Sequence, residues 1–219
     1  MPATSLRPDL ITEGSNVRWL DWAREIQALA QTGLAFTTSQ YDRLTFERLS
    51  EIAAEIVAGH SQLVFPEIKR VFSLEPGYAT PKVDIRAAVV RDGRILLVRE
   101  KADGKWAMPG GWADVGDRPS ETAERETQEE SGFVVRAAKL LGAFDTNRGE
   151  KASVFFHAVK LVFLCELLGG EANPSMETLA VDFFDFDNLP PLSEHRTSLR
   201  LLDEVRAHLA DPLRPAAFD

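Results

Sequence analysis

Three glutamates, Glu126, Glu129 and Glu130, stand three and four residues apart. On a helix, residues at that spacing share one face. Like charges so placed repel, at about 0.2–0.5 kcal/mol per pair. A divalent cation reverses the sign of that interaction, and hard carboxylate oxygens suit magnesium or manganese rather than zinc. The stretch Gly110-Gly111-Trp112-Ala113-Asp114-Val115-Gly116-Asp117 precedes them. Its paired glycines permit a tight loop whose backbone comes close to a ligand. Asp117 or Ser120 can cap the helix that follows, with Pro119 in its first turn and Gly132 as its stop. An acidic helix is by default a solvated face. The fixed spacing from Gly111 to Arg125-Glu126, Glu129-Glu130 and Gly132 argues against that default here.

The elements around this stretch follow from periodicity. Val17–Gln31 places Trp19, Trp22, Ala23, Ile26, Leu29 and Ala30 on one helical face, with Gly33 as its end. Thr37, Thr38 and Ser39 offer caps for a second helix, whose apolar residues run from Tyr41 to Val57 before Gly59 stops it. Ser73–Pro81 reads as a linker. Short strands are predicted at Val83–Val90 and Ile95–Val98, joined by a turn at Asp92-Gly93. An irregular segment Lys105–Gly111 follows, then a helix Ser120–Ser131. Strands Val134–Phe144 and Ser153–Leu167, a loop Asn173–Glu177, a strand Val181–Phe186 and a helix Ser193–Leu209 complete the pattern. Interleaved strands and helices predict a mixed α/β (α+β) main domain at 79–219, preceded by a small helical domain at 1–78. Two helices alone bury little surface. The N-terminal part therefore packs on the rest of the chain or on a second subunit, and Trp19, Trp22 and Phe36 could serve either.

Composition narrows the function classes. The chain has 219 residues and a net charge of −9. An acidic surface repels nucleic acid and anionic membrane, so neither is an expected partner, and a phosphate ligand needs local cations. The single cysteine, Cys165, excludes an intramolecular disulfide and suits a reducing, cytoplasmic location. The first twenty residues lack a basic segment followed by an apolar core, so no signal peptide is expected. The longest apolar stretch, around Leu161–Leu168, is too short for a membrane span. His60, His157, His195 and His208 show no metal-ligand spacing with a cysteine.

The spacing resembles the Nudix box. Gly111, Arg125, Glu126, Glu129, Glu130, Gly132 and Phe133 match it. Asp117 stands where the pattern has Glu, and Thr127 occupies an apolar position. Thr127 is expected to turn its methyl to the core. Further stretches, Gly77–Asp84, Trp106–Asp114, Phe163–Glu166 and Leu189–Ser193, look like a Nudix subgroup. That subgroup has a helical N-terminal extension and acts on CDP-choline, ADP-ribose and related compounds. The resemblance implies an α/β/α sandwich with a mixed sheet. It implies metal ligation, by Mg2+ or Mn2+, through Glu126, Glu129 and Glu130 with the Gly111 carbonyl as a further ligand. It also implies that Arg125 braces the loop through an acidic partner, Asp117 being in a supporting position. Such ions would neutralise a diphosphate and activate water for in-line attack, giving a nucleoside monophosphate and a phosphorylated second product. Glu129, Glu130 and Glu177 are the catalytic candidates. Glu177 is either a mobile general base or a solvated loop carboxylate. Arg86 and Arg99 either meet phosphate oxygens or form surface ion pairs, and Trp112 could stack on a base. Trp106 could do so too, or fill the core.

The expected partner is a small-molecule nucleotide, and a homodimer is expected from the N-terminal helices. Hydrolysis of nucleoside triphosphates or dinucleoside polyphosphates is the alternative reading, since the box is shared. A ligand-sensing regulator is a third, but Met1–Tyr78 carries seven Lys or Arg against ten Asp or Glu, and a DNA-reading module should be basic.

Overall fold

The computed structural model describes residues 18–146 and 156–219. They divide into two compact units. One holds the described residues up to Pro81 with the described ends of the segment Thr146–His157; the other holds Lys82–Asp145 and Ala158–Asp219.

The first unit consists of helices α1 (Arg18–Phe36), α2 (Gln40–His60) and α3 (Phe65–Ser73). Leu20 and Ala23 of α1 pack with Ala53, Ala54 and Val57 of α2 and with Ile68 and Phe72 of α3. Ser39 caps α2, its Oγ accepting the Asp42 N–H at 3.3 Å. Three expectations need correction. Helix α1 runs through Gly33, because a side chain there would collide with the Phe46 ring; the glycine lets the two helices approach closely instead of ending the first. Trp22 and Leu29 face outward at 52% and 61% exposure, and the buried stripe of α1 is Leu20, Ala23, Gln27 and Ala30. Helix α3 lies just before the predicted linker. It is nine residues long and carries Pro66 in its first turn, where the missing N–H costs nothing.

The second unit contains β1 (Lys82–Arg91), β2 (Arg94–Glu100), β3 (Trp106–Ala107), α4 (Pro119–Ser131), β4 (Phe133–Asp145), β5 (Ala158–Gly170), β6 (Thr178–Asp185), α5 (Leu199–Ala210) and β7 (Ala217–Phe218). The strand order is β3-β2-β1-β5-β4-β7, with β6 also pairing β2. Strands β1 and β5 are parallel, as are β4 and β7, and the other pairs are antiparallel. Asp92 and Gly93 join β1 to β2 with φ values of 53° and 74°, the left-handed pair a two-residue hairpin turn demands.

Alternation along β1 sorts the core into two layers. Ile85, Ala87 and Val89 pack with Leu96, Phe133 and Ala123 of α4. Ala88 belongs to the opposite layer, with Leu141, Val162 and the α5 residues Leu201, Leu202 and Val205. Helices thus cover both faces of a mixed sheet, which makes an α/β/α sandwich.

The box helix is closed by Gly132, and Thr127 is fully buried with its hydroxyl donating to the Ala123 carbonyl at 2.7 Å. Its cap differs from expectation. Arg118 is the N-cap residue, and Glu121 accepts the Arg118 N–H at 3.2 Å. Asp117 faces Arg125 instead. Helix α5 starts at Leu199 rather than Ser193, because Ser193 is tied to neighbouring loops: its N–H donates to Trp106 O at 2.8 Å and its hydroxyl to Asp103 at 2.7 Å. Residues 153–155 of the strand expected at Ser153–Leu167 lie outside the described residues, and β5 begins at Ala158. Strand β7, two residues long, carries no periodicity to read.

Candidate active site

The loop Pro109–Ala113 is laced onto β1. Ala87 N–H donates to Pro109 O at 2.9 Å, Ile85 N–H to Gly111 O at 2.8 Å, and Ala113 N–H to Val83 O at 2.9 Å. Gly110 sits at φ 141°, and a Cβ there would run into the Ile85 carbonyl, so only glycine fits this turn. Helix α4 delivers its carboxylates to the same loop. Glu130 Oε2 accepts the Gly110 N–H at 2.9 Å. A side chain on Gly111 would come within 3.2 Å of Glu126 Oε2, so the glycine leaves a small cradle beside that carboxylate.

Electrostatics here is dominated by burial. Desolvation pushes the Glu130 carboxyl up to about 8, against the pull of Arg86 and of the Gly110 N–H, with Glu100 and Glu126 adding repulsion. Glu126 is raised for the same first reason, partly offset by Arg125. Arg125 collects the acidic groups around it. Its Nη1 meets Glu126 at 2.8 Å and Glu129 at 3.1 Å, and its Nη2 meets Asp117 at 3.4 Å and Asp114 at 3.5 Å. Burial works against the Arg125 charge, but Glu126, Glu129 and Asp114 outweigh it and raise its pKa.

Arg86 is buried on β1. Its Nε donates to Asp84 at 3.0 Å and its Nη1 to Met108 O at 3.2 Å. Burial opposes its charge, but Asp84, Glu130 and Glu100 together raise its pKa. Glu177 is exposed, and its backbone is fixed to the site: its carbonyl accepts the Lys101 N–H at 3.0 Å, and Thr178 Oγ1 donates to Glu130 O at 2.9 Å. Trp112 is 42% exposed, pairs with Asp84 across the loop, and has Lys82 Nζ 6.0 Å from its ring centre. Trp106 packs edge-on against Phe184 at 4.6 Å within the core. Arg99 stands apart: it is exposed and its Nε donates to Gly104 O at 2.8 Å.

Several charged residues of this region were not singled out from the sequence. Lys160 on β5 pairs in register with Asp84, its Nζ 3.3 Å from the carboxylate. Burial brings Lys160 down to about 8 even so, because desolvation outweighs the ion pair. Glu100 ends β2, almost wholly buried, and burial raises its pKa despite Arg196 and Arg86 nearby. Asp84 and Arg86 alternate with apolar residues along β1, a charged pair on one strand face that is the only advance signal.

Hard carboxylate oxygens, a raised Glu130 and the Gly111 cradle suit a divalent cation in chemistry. The side chains are not gathered into a cage: among the described residues, no group of three His, Cys, Asp or Glu is arranged to hold a metal ion. Arg125 supplies the counter-charge that Glu126 and Glu129 meet.

The site is thus a Gly-bearing loop braced by an arginine and followed by a carboxylate helix, on a mixed sheet between helices. The comparisons agree. Residues 81–205 match the NUDIX domain family, and residues 17–72 match a UDP-X-like N-terminal oligomerisation domain. The chain belongs to the Nudix hydrolase family. It is 37% identical over 92% of its length, and 97% of the relative's, to a putative ADP-ribose pyrophosphatase, YjhB, of Bacillus subtilis. A crystal structure of a UDP-X diphosphatase superposes with a TM-score of 0.60 at 34% identity, covering 93% of this chain and 98% of that one. The structure of an ADP-ribose pyrophosphatase from Streptococcus suis gives 0.59 at 36% identity, covering 64% and 100%. No helix among the described residues is long and apolar enough to cross a membrane.

Proposed function

We propose that this protein hydrolyses, with Mg2+ or Mn2+, the pyrophosphate of a nucleoside diphosphate linked to another group, of the ADP-ribose or CDP-choline type. The carrying observation is a pair of carboxylates, the buried Glu130 and the half-buried Glu126, brought against the Gly110–Gly111 loop. The two relatives of matching length bear names for ADP-ribose and UDP-linked substrates, which supports a diphosphate bridging a nucleoside and a second group. Glu126, Glu129 and Glu130, with the Gly111 carbonyl, would hold the metal, Glu126 and Glu129 exchanging their contacts with Arg125 for it. A metal bound there supplies charge neutralisation of the diphosphate and a water of lowered pKa. Arg125 then serves the loop through Asp114 and Asp117. Arg86, buried beside Glu130, supports the negative charge of the site. Glu177, one residue from the Thr178 bond to Glu130, is the candidate to take the proton of the attacking water. Trp112 offers a partly exposed ring to a base. The products are a nucleoside monophosphate and a phosphorylated second half, and the cytoplasm, where Cys165 stays reduced, is the fitting location.

The N-terminal unit is read as a dimerisation module. Trp22, Leu29 and Phe36 recur every seventh residue on α1 and remain exposed, as do Tyr41 and Leu44 on α2. The substrate reading is tested with a panel of ADP-ribose, CDP-choline, UDP-linked sugars, nucleoside triphosphates and dinucleoside polyphosphates, with product masses. Turnover confined to triphosphates or dinucleoside polyphosphates overturns it.

A further inference from the structure

The segment Pro191–Thr197 is fastened to the strand and loop that lead into Gly110. Trp106 N–H donates to Pro191 O at 2.9 Å, Ser193 N–H to Trp106 O at 2.8 Å, and Met108 N–H to Thr197 Oγ1 at 2.8 Å. From the sheet, Lys160 Nζ donates to His195 O at 2.8 Å and to Arg196 O at 2.6 Å. The donating ammonium is almost fully buried, and burying it is costly. Besides Asp84, its partners are the backbone carbonyls of one residue pair, His195-Arg196.

The Arg196 side chain is also aimed. Asp103 accepts the Ser193 hydroxyl at 2.7 Å, the His195 Nδ1 lies 3.5 Å from that hydroxyl, and His195 Nε2 lies 3.0 Å from Arg196 Nη1. Burial, with Arg196 and Lys160 close by, brings His195 down to about 4, so the ring is neutral, its Nε2 accepts from Arg196, and Nδ1 carries the proton. On its other side Arg196 Nε stands 3.4 Å from Glu100 Oε1. The contact is an ion pair whose geometry makes no hydrogen bond, and Glu100 Oε1 is left as a buried oxygen with no hydrogen-bond partner. A buried carboxylate oxygen without a hydrogen bond is expensive. Here it holds a guanidinium that keeps 25% of its side chain exposed, while Glu100 itself is 6% exposed.

The other arginines of the region are each engaged through at least one donor. Arg125 is taken by four carboxylates, Arg86 is buried on Asp84 and the Met108 carbonyl, and Arg99 is turned to the Gly104 carbonyl. Among the described residues Arg196 Nη2 has no hydrogen-bond partner, and Glu100, its anchor, adjoins Glu130, Arg86 and Glu177 closely enough to interact with each. We propose that Arg196 is a substrate-binding residue of this site, its guanidinium taking an anionic oxygen of the diphosphate, with Glu100 and Lys160 as the positioning residues that hold it. A planar guanidinium with free donors suits a phosphate oxygen better than a point charge does. The inference rests on the proposed function and names one of its binding groups.

Kinetics of Arg196→Ala, Arg196→Lys and Glu100→Gln on whichever nucleoside diphosphate derivative the wild type cleaves, with excess Mg2+, test it. Calorimetric titration with α,β-methylene-ADP gives the binding readout apart from turnover, and melting temperatures report folding. We expect Arg196→Ala to lose about 10- to 100-fold in kcat/KM, mostly through KM, and to lose a similar factor in affinity for the analogue. Arg196→Lys recovers part of both, and Glu100→Gln shows a smaller loss in the same direction. If Arg196→Ala melts early, Arg196→Lys and Glu100→Gln carry the test, since both retain volume and polarity. Variants that keep wild-type KM and analogue affinity overturn the inference while leaving the proposed function standing. A wild type that cleaves no nucleoside diphosphate derivative overturns the proposed function, and the inference with it.

Discussion

Glu130→Gln should make the metal-free protein more stable at alkaline pH while abolishing its activity. The carboxyl is 7% exposed, and burial moves it from its ordinary 4.5 to about 8. A carboxyl whose folded value is raised binds more protons in the native state than in the unfolded one between those two values. Stability therefore falls as pH rises through that window, by up to about 1.4 kcal/mol per pH unit. Summed from 4.5 to 8, the ionised Glu130 costs the metal-free fold at most about 4 kcal/mol at pH 8. Glutamine has the same shape, and its carbonyl still accepts the Gly110 N–H, but it carries no charge to desolvate. Urea unfolding in EDTA at pH 5.5 and pH 8 reads the difference. The wild type should lose stability relative to Glu130→Gln between the two pH values, the variant being more stable by about 2–4 kcal/mol at pH 8. Added Mg2+ should then stabilise the wild type and leave the variant unmoved. Parallel stability of the two proteins at both pH values would refute the reasoning that this carboxylate is held at a desolvation cost.

Other substitutions probe the remaining elements. Gly110→Ala forces a Cβ into the Ile85 carbonyl at a left-handed φ and should lower stability by about 2–4 kcal/mol, measured by thermal melting, with activity lost. Glu177→Gln should reduce kcat by about 10²-fold or more with KM little changed, if it takes the water's proton; an unchanged kcat would return it to a solvated carboxylate. Leu29→Glu together with Phe36→Glu, on the exposed stripe of α1, should convert a dimer to a monomer in light scattering while leaving the fold intact.

The box helix was legible because its chemistry is local. Glu126, Glu129 and Glu130 share a face by spacing alone, Gly132 closes the helix, and Asp92-Gly93 declares its hairpin. What escaped was set by contacts distant in sequence. Gly33 reads as a stop until Phe46 of the next helix is known to lie against it. Trp22 and Leu29 fit an apolar periodicity, yet the helix turns Leu20, Ala23 and Gln27 inward instead. Asp117 looks like a cap, but Arg125, eight residues on, claims it and leaves Arg118 at the cap. Lys160, Glu100 and Arg196 are charged residues of ordinary appearance. Their meaning comes from a strand, a strand end and a loop meeting in three dimensions, which no spacing rule reports.

Glu126, Glu129 and Glu130 are proposed to gather a divalent cation at the glycine loop. Electron paramagnetic resonance titration of Mn2+ into the wild type and into the Glu126→Gln and Glu130→Gln variants tests it most directly. A bound-manganese population is expected in the wild type, and it should be lost or weakened at least 10-fold in each variant. Equal manganese binding by all three proteins, each folded, would contradict it.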